Sequence, residues 1–194
     1  MKSVLLLGSI LLLSACGSMQ SQVVKKNVSF DPGIQAQIRS YGSYGSDLIR
    51  IYPETDCAKW EGTKRNAVNR RFVNGLPRKV RNISIGIPPT ELSRKTEKDT
   101  GFVFRDSYRE MVVSANQPVV LDGAFSSQTR NHHYSCRVAA SFTPKAGEAY
   151  EVRYLSEEEG CDIEVYHIGH EEKDGVRQTK KLTANYCAKP GTSF

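Results

Sequence analysis

Hydrophobic and polar positions divide this chain into three textures. Residues 4–13 read Val4-Leu5-Leu6-Leu7-Gly8-Ser9-Ile10-Leu11-Leu12-Leu13, an apolar run with little interruption. Residues 17–32 are polar, rich in Gln, Ser, Lys and Asn, and close at Asp31-Pro32-Gly33. From Ile34 onward the chain alternates. Ile34, Ala36 and Ile38 alternate with Gln35, Gln37 and Arg39. Ile49 and Ile51 alternate with Leu48, Arg50 and Tyr52, and Ile83, Ile85 and Ile87 with Asn82, Ser84 and Gly86. Period-two patterning with β-branched residues predicts half-buried strands.

The second half alternates more clearly. Val119 and Leu121 share a face after Pro118, and Tyr134, Cys136, Val138, Ala140 and Phe142 share one on the next strand. Pro144-Lys145-Ala146-Gly147 reads as a turn. Tyr150, Val152 and Tyr154 line a return strand, and Cys161, Ile163 and Val165 line the one after. Asp174-Gly175 is a turn signal before a strand from Val176 to Thr183. Only Thr90 to Lys98 suggests a short helix or turn. The expected fold is all-β, an antiparallel β-sandwich of about 8–10 short strands over residues 34–194.

The first two textures carry a different message. Lys2 precedes the apolar run, which is too short to span a bilayer as a helix of roughly 20 residues. It ends in Leu13-Ser14-Ala15-Cys16. These residues resemble the lipobox of bacterial lipoprotein precursors. That resemblance implies removal of residues 1–15, a diacylated thiol at Cys16, and a lipidated flexible tether over residues 16–33. Several acyl chains anchor durably, each buried CH2 contributing about 0.8 kcal/mol. Gly17 follows the cysteine where an Asp would favour inner-membrane retention, so the resemblance implies the outer membrane, with the body facing the periplasm.

Composition then fits a folded domain. The chain has 194 residues, 39% hydrophobic and 25% charged. That leaves enough apolar surface to offset ordering entropy, and excludes a mainly disordered chain. Its five cysteines divide into Cys16 and four others: Cys57, Cys136, Cys161 and Cys187. None is spaced as CxxC, and an exported chain meets an oxidising space, so two disulfides are expected. If residues 133–165 form a meander in one sheet, Cys136 and Cys161 flank the same strand, about 9–10 Å apart. That exceeds the reach of a disulfide unless one strand crosses to the other sheet. Cys161 and Cys187 lie near the open end of the hairpin turning at Asp174-Gly175, so the expected pairs are Cys57–Cys136 and Cys161–Cys187.

Charge is unevenly placed. The net formal charge is +6. Lys59, Lys64, Arg65, Arg70, Arg71, Arg78, Lys79 and Arg81 crowd one stretch against Glu61 alone, with Trp60 and Phe72 among them. This reads as a long exposed loop. It serves either solubility or the binding of an anionic envelope component or acidic protein partner, with Lys64, Arg65, Arg70, Arg71, Arg78, Lys79 and Arg81 as candidates. Nucleic acid is not expected, because nothing resembles a nucleic-acid module. The histidines all fall late: His132, His133, His167 and His170. Adjacent residues on a strand point to opposite faces, so His132 and His133 do not converge. His167 and His170 are the alternative metal candidates, although no HExxH spacing exists.

No catalytic motif emerges. There is no G-x-S-x-G elbow. Tyr41-Gly42-Ser43-Tyr44-Gly45-Ser46 reads as a hairpin loop, and Glu157-Glu158-Glu159 as an acidic hairpin tip. No cofactor is expected. The body also resembles small envelope lipoproteins of Gram-negative bacteria. The resemblance rests on the lipobox, Ile85-Gly86-Ile87-Pro88 with Thr90, Tyr108-Arg109-Glu110, Tyr134-Ser135-Cys136, Phe142-Thr143-Pro144 and Gly160-Cys161. It implies a non-enzymatic, lipid-anchored binding or structural module. The alternatives are an accessory factor docking on a secretion or outer-membrane machine through residues 59–81, and a metal-binding protein or hydrolase using the late histidines.

Overall fold

The alternating segments do form strands, and the strands form two stacked sheets. The computed structural model describes residues 23–42, 48–63, 66–68, 72–73, 76–77, 81–99, 106–128, 133–157 and 160–188. In chain order the first strands are β1 (Val23–Lys25), β2 (Gln35–Gly42) and β3 (Leu48–Tyr52), followed by a single 3-10 turn at Trp60–Gly62. Next come β4 (Asn66–Val68), β5 (Phe72–Val73), β6 (Leu76–Pro77) and β7 (Asn82–Ser84), then helix α1 (Glu91–Lys98). The long strands follow: β8 (Ser107–Ser114), β9 (Val119–Gln128), β10 (His133–Phe142), β11 (Ala149–Glu157), β12 (Gly160–Lys173), β13 (Val176–Leu182) and β14 (Asn185–Ala188).

One sheet has the order β1-β7-β8-β2-β11-β12-β13, the other β14-β10-β9-β3-β4, and β5 and β6 form a separate ribbon. The sandwich is therefore as expected, with two refinements. Short edge pieces raise the strand count. The larger sheet is mixed, because β1–β7, β7–β8 and β2–β11 pair in parallel. Among the described residues no helix is long and apolar enough to cross a membrane.

The core lies between the inner faces. Ala36, Ile38, Val113, Tyr150, Val152, Tyr154, Ile163 and Val165 of the larger sheet meet Ile49, Ile51, Val119, Leu121, Val138, Ala140 and Phe142 of the smaller. Each fully buried aliphatic side chain contributes roughly 1.5–3 kcal/mol. Tyr154 crosses the gap so closely that a Cβ on Gly123 would sit 2.3 Å from its ring, and its hydroxyl donates to the carbonyl of Cys136. A glycine is required there.

The path from β10 to β11 corrects the disulfide assignment. Pro144 to Gly147 does not close a hairpin: β10 belongs to the smaller sheet and β11 to the larger. Cys136 and Cys161 therefore face each other across the core, with Cα atoms 6.0 Å apart, and are bonded. Cys57 and Cys187 form the second bridge, joining the segment after β3 to β14. The expected pairs Cys57–Cys136 and Cys161–Cys187 fail because they assumed that β10, β11 and β12 lie in one sheet.

Other expectations shift for similar reasons. Tyr41 to Ser46 does not bridge a hairpin, since β2 and β3 lie in different sheets; residues 43–46 themselves are outside the described residues. The strand expected through Ile87 stops at Ser84. The stretch expected to be a tether contains β1, whose Val23 and Val24 pair with Asn82 and Ile83. The basic stretch is not one uninterrupted loop: β4 pairs with β3, and β5 with β6. Ile34 is exposed while Arg39 is buried, the reverse of what alternation alone implies. By contrast α1, the β12–β13 turn at Asp174-Gly175 and the β11–β12 hairpin stand as expected.

The two bridges differ in access. Cys136 and Cys161 are 3% and 6% exposed, whereas Cys57 is at the surface. A mild thiol reductant without denaturant is expected to open Cys57–Cys187 first, read by alkylation and peptide mass. Alkylation appearing first at Cys136 or Cys161 would contradict this placement.

Candidate functional site: a cation-rimmed groove beside the helix

Strand register builds one charged row across the outer face of the larger sheet. Arg39 on β2 lies opposite Glu110 on β8 and Glu151 on β11. Glu151 lies opposite Tyr166 on β12, which lies opposite Lys181 on β13. Oppositely charged cross-strand neighbours stabilise a sheet. Here one end of the row is roofed and the other is open.

The roofed end is a buried polar cluster. Arg39 is 1% exposed. Its Nε donates to Glu110 Oε1 and its Nη1 to Glu151 Oε1, both at 2.9 Å. Its Nη2 donates to the carbonyls of Ile87 and Pro88. Tyr108 stacks on the guanidinium, 5.2 Å from ring centre to Cζ. Burial pulls the pKa of Arg39 down, but the Tyr41 phenol and the carboxylates of Glu110 and Glu151 outweigh that and the net shift is upward. Burial raises the Tyr41 phenol, and the negative Glu151 beside it raises it further.

Two carboxylates against one guanidinium leave excess negative charge, which backbone amides absorb. Glu110 Oε2 accepts from Ser84 Oγ and from the amides of Ile85, Gly86 and Ile87. This is why β7 ends at Ser84: the next three amides point to a carboxylate rather than to a neighbouring strand. Gly86 has φ of +104°, which an L side chain rarely adopts. Glu151 Oε1 accepts from Tyr41 and Thr90, both at 2.5 Å. Thr90 also caps α1 by accepting from the Ser93 amide, while Ser93 Oγ accepts from the Thr90 amide. This capping box fixes where the helix starts.

The helix ends up beside β13, and a groove of about 960 Å³ separates them. Its floor is Arg153 and Tyr166, with the guanidinium 4.8 Å over the ring. Arg153 is already committed, donating to Glu164 and to the Tyr166 hydroxyl at 2.5 Å each. Arg94, Lys95 and Lys98 of α1, with Glu91, form one wall; Arg177 and Thr179 of β13, with Asp174 of the preceding turn, form the other, so cations outnumber carboxylates on the walls. Arg94, Lys95 and Lys98 are exposed, and no carboxylate among the described residues pairs with them. The arrangement suits a polyvalent anion. Helical spacing at 94, 95 and 98 was the available sequence signal, but only the sheet register shows what the cations border.

The sequence candidates fall elsewhere. Cys16, Lys64, Arg65, Arg70, Arg71, Arg78, Lys79 and His132 lie outside the described residues. Lys59 and Arg81 are exposed. Trp60 is 4% exposed rather than presented to solvent, and Arg137 covers its ring at 4.8 Å. Arg137 in turn binds Asp122, which is fully buried and also paired with Arg50. These contacts, with Tyr52 and Cys187 nearby, form a small second core outside the smaller sheet.

Of the late histidines, His167 and His170 converge on one carboxylate. Glu148 Oε2 is 2.6 Å from His167 Nε2 and 3.7 Å from His170 Nε2. Among the described residues no group of three or more metal-ligating side chains is placed to hold an ion. Comparison of the chain with protein-family models, with curated proteins and with solved structures finds no match.

The hydrogen bond with His167 holds the Glu148 carboxyl below its ordinary value of 4.5, outweighing partial burial; the imidazole charges act in the same direction. A carboxyl lowered in the folded state stabilises the fold above its unfolded pKa, and that stability drains away as pH falls through the folded value. Thermal melting is therefore expected to fall off below about pH 4.5, with a shallower fall in His167→Asn. Identical acid limbs in both proteins would contradict the pairing.

Proposed function

We propose that this chain is a non-enzymatic, lipid-anchored binding module of a bacterial cell envelope, held at the outer membrane by Cys16 and facing the periplasm. The observation that carries the reading is the division of its cysteines. Four form two disulfides, which persist in an oxidising compartment, and the fifth ends a lipobox-like Leu13-Ser14-Ala15-Cys16. A binding role is supported by surplus cation at the surface. The groove wall carries Arg94, Lys95 and Lys98, and the sequence of residues 59–81 holds a second concentration of cations; both attract anions. The ionisable groups buried beside that groove engage one another and the backbone, as structural groups do. An acidic partner or anionic envelope component is the proposed ligand class.

A second reading makes the module an accessory factor of a secretion or outer-membrane machine, docking through the basic stretch. It is favoured by the density of cations at Arg70, Arg71, Arg78 and Lys79. Labelled palmitate is expected to enter the native chain and not Cys16→Ser, which stays soluble or uncleaved. Palmitate in that variant would refute lipidation at Cys16. Charge reversal at the four cations should abolish in-cell crosslinks if docking runs through them; unchanged crosslinks would return the binding role to the groove.

A further inference from the structure

The groove has a feature that a small anion does not need. Its β13 wall is a sheet edge, paired with β12 on one side only. On the groove side, pairing begins and then stops. The Arg177 amide donates to the Pro89 carbonyl at 2.8 Å, and Thr90 bridges Arg177 in parallel. At Thr90 the capping box turns the chain away into α1. Alternate residues of a strand direct their amides to the same edge. Thr179 and Lys181 therefore present theirs beside that of Arg177, and no described backbone group takes them.

Two further observations narrow the occupant. The cations are strung along the helix at 94, 95 and 98 instead of converging on one point, and the floor guanidinium is held by Glu164 and Tyr166. A compact phosphate would find no convergent fork. The edge strand also carries Lys180, which opposes pairing with the same edge of a second copy and favours a strand of opposite charge, while Lys181 is held by Glu164 at 2.7 Å. Resting on the reading of the groove as an anion-binding face, we infer that it takes an extended acidic peptide segment of a partner protein, added as a strand to β13 from Thr179 onward. The peptide backbone completes the open amides, and its carboxylates face Arg94, Lys95 and Lys98.

The test uses the full chain with both disulfides intact and a fluorescent peptide of about eight residues alternating Glu and Val, long enough to cover the open edge from Thr179 to Leu182. Two further peptides carry N-methyl groups at one or the other set of alternate residues, and inorganic polyphosphate supplies charge without a peptide backbone. The parent peptide is expected to bind, and one N-methyl register to weaken binding at least about tenfold while the other does not, because only one set of amides faces the edge. Arg94→Glu with Lys95→Glu and Lys98→Glu should weaken it at least about tenfold, with unchanged circular dichroism as the folding check. Equal binding of all three peptides, or polyphosphate binding without peptide binding, overturns strand addition and leaves the anion-binding groove standing. If charge reversal changes the binding of neither probe, the groove reading fails as well.

Discussion

The outer face of this sandwich depends on one guanidinium. Arg39 sits between Glu110 and Glu151 in the sheet and reaches up to the carbonyls of Ile87 and Pro88. Burying three charges costs several kcal/mol each before pairing. The cost is met only because every partner is occupied: Glu110 by backbone amides and Ser84, Glu151 by Tyr41 and Thr90. Removing one member leaves an uncompensated buried charge, a loss of about 3–5 kcal/mol. The cluster also acts beyond its own energy. It holds residues 85–88 against the sheet without strand pairing, and so sets where α1 begins and how it lies against β13.

The groove follows from that arrangement. The loop pairs with β13 at Arg177 and no further, because Thr90 is tied both to Glu151 and to the helix cap. A helix displaced from the edge strand leaves a charged channel with an open backbone. Below it, the core is fastened independently. Cys136–Cys161 joins the two sheets through the core, and Cys57–Cys187 closes the far end of the smaller sheet. Rigidity of the sandwich and exposure of the groove are therefore separate properties, and a variant can lose one without the other.

Much of the fold was legible, for a simple reason. Alternation reports which residues share a face, and Ala36, Ile38, Val138 and Val165 share the faces expected. Alternation does not report which sheet a strand joins. The turn at Pro144 to Gly147 has hairpin chemistry but carries the chain across the sandwich, and the disulfide pairs changed with it. Polarity also misled at Arg39, because a charged residue in an alternating strand reads as solvent-facing unless its cross-strand partners are known. Glu110 and Glu151 lie 71 and 112 residues away. The groove was hidden for the same reason: its walls, α1 and β13, are far apart in sequence.

The central claim is that the Arg39 cluster, not strand pairing, holds residues 85–88 in place. Hydrogen exchange at the amides of Ile85, Gly86 and Ile87 tests it most directly. In the native chain these amides should be protected although they belong to no strand. In Glu110→Gln they should exchange faster by at least about a hundredfold, as expected for losing a buried charge partner, while β9, β10 and β12 stay protected. Exchange of these three amides at free-loop rates in the native chain would contradict the account.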